Sequence, residues 1–467
     1  MKNARKALTV TFAVVCMVAA WQMVLVCPVS AHDDHDHDHA VPKVSDEVAW
    51  APTAIPDRII LSWTGDPSTS QTVNWRTDTT VKKGIADVAV AEDGPFFVEK
   101  ARRVTAELTP LESDLGSAHY HTAVFTDLEP KTRYVYRVGD GTNWSEWSHF
   151  NTASRDAEPF TFIYMGDAQT ELKEHWSRVI REAYSDAPKT AFTLHAGDLV
   201  DKREWDAEWG EWFYAAGFIN RRVPCIAVTG NHEYVKIKNE AGDTVGGRLS
   251  DHWRPSFAFP HNGPEELDET VYWLDYQGVR FVALNTNEKV EQQAKWLEQV
   301  LADNDNKWTV VTFHHPIYSS QVGRDNPELR DAWQPLFDKY KVDIVLQGHE
   351  HTYARTKLMS YKNVAVGVTK RSPEAGTMYT VSVSGPKMRE LDRKPFVERA
   401  AEDTQLYQII TIDGPELHYD ARTATGVLYD AFTLRKRPGQ VNKLIERVPD
   451  TPERRHSTTE AAKTAAN

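Results

Sequence analysis

Five apolar stretches of this chain each run into an acid, an asparagine or a histidine: FTFIYMGD (160–167), TAFTLHAGD (190–198), VPCIAVTGNHE (223–233), WTVVTFHHP (308–316) and VDIVLQGHEH (342–351). The donors at these ends are Asp167, Asp198, Asn231, His314, His349 and His351. All offer oxygen or nitrogen, and no thiol is among them. Such a set suits manganese, iron or zinc, rather than a structural cysteine-bound zinc. Six ligands are too many for one ion that must stay open to a substrate. Two ions about 3.5–4 Å apart, sharing a bridging carboxylate, fit better, and a water between them would be acidified to hydroxide. His232 follows Asn231 on a turn leaving a strand. An imidazole there reaches a leaving-group oxygen, which needs a proton at neutral pH. Asp201 stands three residues beyond Asp198, in GDLVD (197–201), and raises the question of what a second carboxylate does there.

The elements that must hold these residues follow from the pattern of apolar runs. After Arg155 apolar strands alternate with helical patterns, as in α/β folds. In open α/β sheets the loops beyond the carboxyl ends of the strands build the site. Residues 204–218 read as a helix with Trp205, Trp209 and Trp212 along one side, and that side is expected to pack on a sheet. From about Trp50 to Thr152 the grammar is different. Short alternating strands such as RIILSW (58–63), QTVNWRT (71–77) and RYVYRVGDG (133–141) are broken by turns, which predicts an all-β sandwich.

The chain has 467 residues, 41% hydrophobic and 26% charged, with a formal charge of −13. That length allows two to three domains. That charge argues against a nucleic-acid or anionic-membrane partner. Residues 1–31 read as a secretory signal: a basic start at Lys2, Arg5 and Lys6, an apolar run, and the small-residue cleavage triplet Val29-Ser30-Ala31. A secreted, periplasmic or cell-surface location is expected, with no stable membrane span once the signal is cut. Cys16 and Cys27 fall in the signal, so Cys225 stands alone and no intramolecular disulfide is expected. Residues 32–46, opening HDDHDHDHA, read as a disordered leader, and residues 436–467 as a disordered polar tail.

The ordered set GD (166–167), GD (197–198), GNHE (230–233), H-x-P (314–316) and GHxH (348–351) resembles the calcineurin-like metallophosphoesterase superfamily. With HHPIYSS (314–320), GHEHTYAR (348–355) and the β-rich segment ahead of them, it is similar to the purple acid phosphatase branch. The resemblance implies a fibronectin type III-like sandwich over 47–155. A metallophosphoesterase domain over 156–435 would follow, a four-layer α/β/β/α sandwich. It implies that Asp167 and His351 hold a first metal, that Asn231, His314 and His349 hold a second, and that Asp198 bridges them. His232 would contact the phosphate and protonate the leaving group. The substrate would be a phosphomonoester. A phosphodiesterase or nucleotidase with the same metal core, its choice set by segment 234–262 with His252 and Trp253, is the nearest rival. A non-catalytic metal-binding surface module is the remaining one.

Three departures qualify the resemblance. Purple acid phosphatases carry tyrosine at the fifth position of GDxxY, and Asp201 stands there, so a colourless enzyme is expected. GDLVD instead resembles the GDxVD of serine/threonine protein phosphatases, which implies that the Asp201 carboxylate accepts a hydrogen bond from His232. Many members have DxH in the first motif, where this chain has Asp167-Ala168-Gln169; Gln169 would fill the first metal position through its carbonyl, more weakly than imidazole. That branch has one or two histidines a short way past H-x-P, where this chain reads Gln321-Val322-Gly323-Arg324, and Arg324 is a candidate phosphate contact. His315 and Arg355 are read as packing and pairing residues.

Overall fold

The computed structural model describes residues 44–361, 364–365 and 376–455. The expected signal, nearly all of the leader and residues 456–467 lie outside the described residues. A one-turn helix, Asp46–Ala49, begins inside the stretch expected to be disordered leader.

The N-terminal region is a sandwich of two four-stranded antiparallel sheets. One holds Asp57–Ser62, Gln71–Thr77, Gly116–Phe125 and Glu107–Ser113; the other holds Arg102–Thr105, Ile85–Val90, Arg133–Gly139 and Ser148–Asn151. Leu61, Val73, Trp75, Val88, Phe125, Tyr136 and Phe150 fill the space between them. The alternation read in the sequence therefore points one side of each strand inward.

The second region is built on two seven-stranded sheets. In the first, Cys225–Ala227, Thr193–His195 and Phe160–Met165 run parallel, and four antiparallel strands from Leu406–Asp413 to Lys443–Glu446 extend it. In the second, Val279–Ala283, Trp308–Thr312, Ile344–Gln347 and Met378–Val381 form a parallel centre. These central strands are buried on both faces, which is why they read as unbroken apolar runs. Alternate residues serve two cores. Phe281, Val310, Ile344 and Leu346 face the first sheet. Val282, Val311 and Val345 face the helices Val290–Ala302 and Pro327–Tyr340. Phe162 meets Phe281 edge-on at 5.5 Å between the sheets. Helices Ser177–Asp186 and Asp206–Ala216 cover the outer face of the first sheet, giving helix, sheet, sheet and helix in that order. Trp209 and Trp212 are buried there, as the helical spacing predicts, while Trp205 is exposed.

Two regions depart from the sequence reading. Residues 436–455 are not a disordered tail. Lys443–Glu446 pairs with Leu428–Arg435 and completes the first sheet, so the second region runs past 435. Glu446 also accepts from the buried guanidinium of Arg355, which is held by Asp430 as well. Arg355 is thus the pairing residue it was expected to be. His252 and Trp253 do not reach the strand ends that carry the donors. Both are buried, His252 stacked on Trp209 and 3.2 Å from Asp206, because Asp206 gathers Arg58 and Arg76 from the sandwich at the joint between the two regions. Cys225 is free and buried. No described helix is long and apolar enough to cross a membrane.

Candidate metal centre

The carboxyl ends of five strands converge. Asp167 follows Phe160–Met165, Asp198 follows Thr193–His195, Asn231 opens a turn after Cys225–Ala227, His314 follows Trp308–Thr312, and His349 and His351 follow Ile344–Gln347. Tyr164 and Gln347 tie the two sheets together just below: the Gln347 N–H donates to the Tyr164 hydroxyl at 2.8 Å, and that hydroxyl donates back to the Gln347 carbonyl.

Asp167, Asp198, His349 and His351 all adopt left-handed backbone, with φ of 47, 50, 78 and 53°. For residues other than glycine this costs on the order of 1 kcal/mol or more each, and such strain concentrates at functional sites. The glycines that precede the donors allow the close approach. A Cβ on Gly230 would lie 2.1 Å from Asp198 Oδ1, and one on Gly348 would lie 2.4 Å from Asp167 Oδ2.

Hydrogen bonds aim the donors. His314 Nδ1 donates to the Ala196 carbonyl at 2.8 Å, which leaves Nε2 as the ligating atom, 3.1 Å from Asp198 Oδ2 and 3.1 Å from His349 Nδ1. His351 Nδ1 donates to the Lys387 carbonyl at 3.1 Å, and its Nε2 stands 3.8 Å from Asp167 Oδ1. Asp167 Oδ2 accepts the backbone N–H of His349 at 2.5 Å, and Asp198 Oδ1 accepts that of His232 at 2.8 Å. Fixing one ring nitrogen so that the other ligates is the usual supporting arrangement of metal-binding histidines.

The electrostatics ask for cations. Burial drives the Asp167 carboxyl well above its ordinary range, and the Asp198 charge adds to this. Asp198 is held down, against its burial, by His314. His314 is pushed up to about 9: burial opposes this, but Asp198 overcomes it. Burial keeps His349 and His351 neutral, the state that ligates, lowering His351 to about 3. Asp167 Oδ1 and Asn231 Oδ1 are buried without a hydrogen-bond partner. Each such acceptor costs about 1–3 kcal/mol, more when charged, which bound ions would offset. Ligand atoms of Asp167, Asp198 and His314 lie within 4.8 Å of one another, and so do those of His314, His315 and His349. The donor set therefore fits the two ions the sequence predicts. The second cluster draws in His315, which the sequence reading left to packing. Its Nδ1 is engaged by Thr286 Oγ1 at 2.6 Å, and its ring lies 4.1 Å from that of His349.

Three sequence-predicted residues sit at the centre with altered contacts. His232 Nδ1 donates to the backbone carbonyl of Asp201 at 2.7 Å, while the Asp201 carboxylate is 3.4 Å away. The expected carboxylate acceptor is thus replaced by a main-chain one. Gln169 is fully buried, but it turns its amide nitrogen to the centre, donating to Asp198 Oδ2 at 3.0 Å; its carbonyl accepts from Lys387 Nζ at 3.1 Å. It is not oriented as a ligand. Arg324 is close, but its guanidinium donates to the His349 carbonyl at 3.2 Å.

Two residues of the centre were missed. Glu233 is fully buried and accepts the backbone N–H of Asp198, Leu199 and Gly230. Its place in GNHE was the available signal. Lys387 had none, since it is distant in sequence from every donor.

The purple acid phosphatase N-terminal domain model matches residues 56–152, and the calcineurin-like phosphoesterase model matches residues 125–353. An uncharacterized protein of Mycobacterium tuberculosis is 28% identical over 353 residues, 67% of this chain and 64% of that protein. The Fe(3+)-Zn(2+) purple acid phosphatase 12 of Arabidopsis thaliana is 28% identical over 275 residues, 54% of this chain and 55% of that protein. The chain thus spans less than two thirds of the length of these relatives. Among solved structures, purple acid phosphatase PPD1 from yellow lupin (Lupinus luteus) seeds is similar in fold, with a TM-score of 0.70 at 20% identity, covering 83% of this chain and 76% of that one.

Proposed function

Because the chain belongs to the calcineurin-like phosphoesterases and carries the purple acid phosphatase N-terminal domain, we propose that it is an exported, metal-dependent phosphatase acting on phosphomonoesters. The observation that carries this reading is the convergence of six O and N donors from five strand ends, with His232 beside them. The export rests on the sequence of residues 1–31 alone.

Asp167, Asp198, Asn231, His314, His349 and His351 would hold two ions, manganese, iron or zinc by the chemistry of the donors. When bound, such ions supply Lewis acidity and neutralise phosphoryl charge. The protein's own groups do the rest. His314 keeps its Nδ1 hydrogen on the Ala196 carbonyl, so Nε2 is the atom that would yield its proton and face an ion. His232 is the proton donor to the leaving oxygen. Its Nδ1–H is committed to the Asp201 carbonyl, and Nε2 has no partner among the described residues, so the ring acts as an acid in its charged form, giving the proton from Nε2 and keeping the one on Nδ1. Glu233 keeps the Asp198 loop and the Asn231 turn in register, which preserves the distance between the Asp198 carboxylate and His232.

The test is reconstitution. The chelated full chain, supplied singly with manganese, iron, zinc or magnesium, should hydrolyse a phosphomonoester faster than a diester. No turnover with any ion overturns the reading; faster diester turnover moves it to the phosphodiesterase alternative.

A further inference from the structure

Lys387 enters the centre from the loop after Met378–Val381. It makes three contacts there. Its carbonyl accepts from His351 Nδ1 at 3.1 Å. Its Nζ donates to Gln169 Oε1 at 3.1 Å and lies 3.5 Å from Asp201 Oδ1. Gln169 passes this on: its amide nitrogen is 3.0 Å from Asp198 Oδ2 and 3.3 Å from His351 Nε2.

These contacts make the two metal positions unequal. The second position has Asp198, Asn231, His314 and His349, and each position has one buried oxygen without a partner, Asp167 Oδ1 in the first and Asn231 Oδ1 in the second. The first has Asp167, Asp198 and His351, and a donor N–H of Gln169 already turned on two of them. For Gln169 to ligate, its amide must turn over and present oxygen. That rotation would set its NH₂ against the Lys387 ammonium, two groups that only donate. A fixed positive charge beside an incoming cation opposes it further.

We propose that Lys387 is a positioning residue that makes the Asp167–Asp198–His351 position weak, by charge and by locking the Gln169 amide, so that the chain holds one ion tightly and exchanges the second. This rests on the metal-centre reading above. Lys387 does not touch the reacting atoms; it acts through Gln169 and through the field.

The experiment is titration of the chelated full chain with manganese, read by calorimetry and by metal content after gel filtration. One tight equivalent is expected, with a second bound at least about tenfold more weakly. In Lys387→Met, which keeps the stem and removes the charge, the second equivalent should tighten about tenfold or more. Lys387→Arg should restore the inequality, which a merely structural loss would not. Two equally tight equivalents in the unmodified chain overturn the proposal and leave the metal centre standing. An unchanged second equivalent in a folded Lys387→Met also overturns it. If neither manganese nor, in the same titration, iron or zinc is bound, both readings fall.

Discussion

Glu233 and Asp198 are joined through the main chain: Glu233 Oε2 accepts the Asp198 amide N–H at 3.0 Å and the Gly230 N–H at 2.7 Å, while Oε1 accepts the Leu199 N–H at 2.8 Å. One buried carboxylate thus fastens two of the loops that carry donors. The three N–H groups donate to Glu233 rather than to a backbone carbonyl, so they depend on it.

Glu233→Gln tests this. A glutamine has one carbonyl oxygen where two carboxylate oxygens accept three N–H groups, so its NH₂ must face at least one buried donor. The expected loss is about 1–3 kcal/mol of stability, read by urea unfolding of the chelated protein. Metal retention should fall with it. An unchanged midpoint and metal content would show that the carboxylate is dispensable.

His232→Ala should slow hydrolysis of an ester with a poor leaving group by roughly 10²–10⁴. An ester with a good leaving group needs little proton donation and should lose far less. Asp201→Asn is expected to cost under about tenfold, because the His232 hydrogen bond runs to the Asp201 main chain, which the substitution leaves in place. Equal losses for both leaving groups would remove His232 from the acid role. A loss in Asp201→Asn as large as in His232→Ala would restore the carboxylate to it.

Asp206 links acid stability to the joint between the two regions. Burial would raise its pKa, but His252, Arg58 and Arg76 overcome this and hold it well below the ordinary carboxylate value of 3.8. A depressed carboxylate contributes stability that is fully present above the unfolded pKa and is lost as pH falls through the folded one. Calorimetric melts should therefore show stability falling as the pH drops below about 4. Asp206→Asn should be destabilised at neutral pH by about 3–5 kcal/mol, since the buried Arg58 guanidinium loses its carboxylate and Arg76 keeps only Asp57. Its gap from the unmodified protein should narrow on acidification. A constant gap would place the Asp206 contribution in packing rather than charge.

The strand ends were legible because buried parallel strands read as apolar runs, and a polar cluster closing such a run falls where sites form. What the sequence hid was which atom does the work. GDLVD placed Asp201 beside His232, yet spacing does not distinguish a carboxylate from its own carbonyl. Gln169 was placed at the first metal position, but its orientation is set by Lys387, 218 residues away. His252 looked available for a substrate rim. Its burial follows from two arginines of the other region meeting Asp206, a tertiary fact with no local signature.

The C-terminal strand shows the same limit of local pattern and supplies a test of its own. KLIE (443–446) is too short and too polar to announce a strand, but it pairs along Leu428–Arg435 and brings Glu446 within 2.9 Å of the buried Arg355. Nearby, Asn442 Nδ2 and Lys436 Nζ both donate to Asp343 Oδ1 at 2.6 Å. Ending the chain at Arg435 would strip these contacts and expose the backbone edge of Leu428–Arg435, a template for pairing with other chains. The truncated protein should melt several degrees lower and form higher oligomers in gel filtration. Ending it at Arg455 should change neither, because the paired strand and the Asp343 contacts remain. If truncation at Arg435 left both the melt and the elution volume unchanged, the strand would be an adornment of the sheet rather than its closing edge.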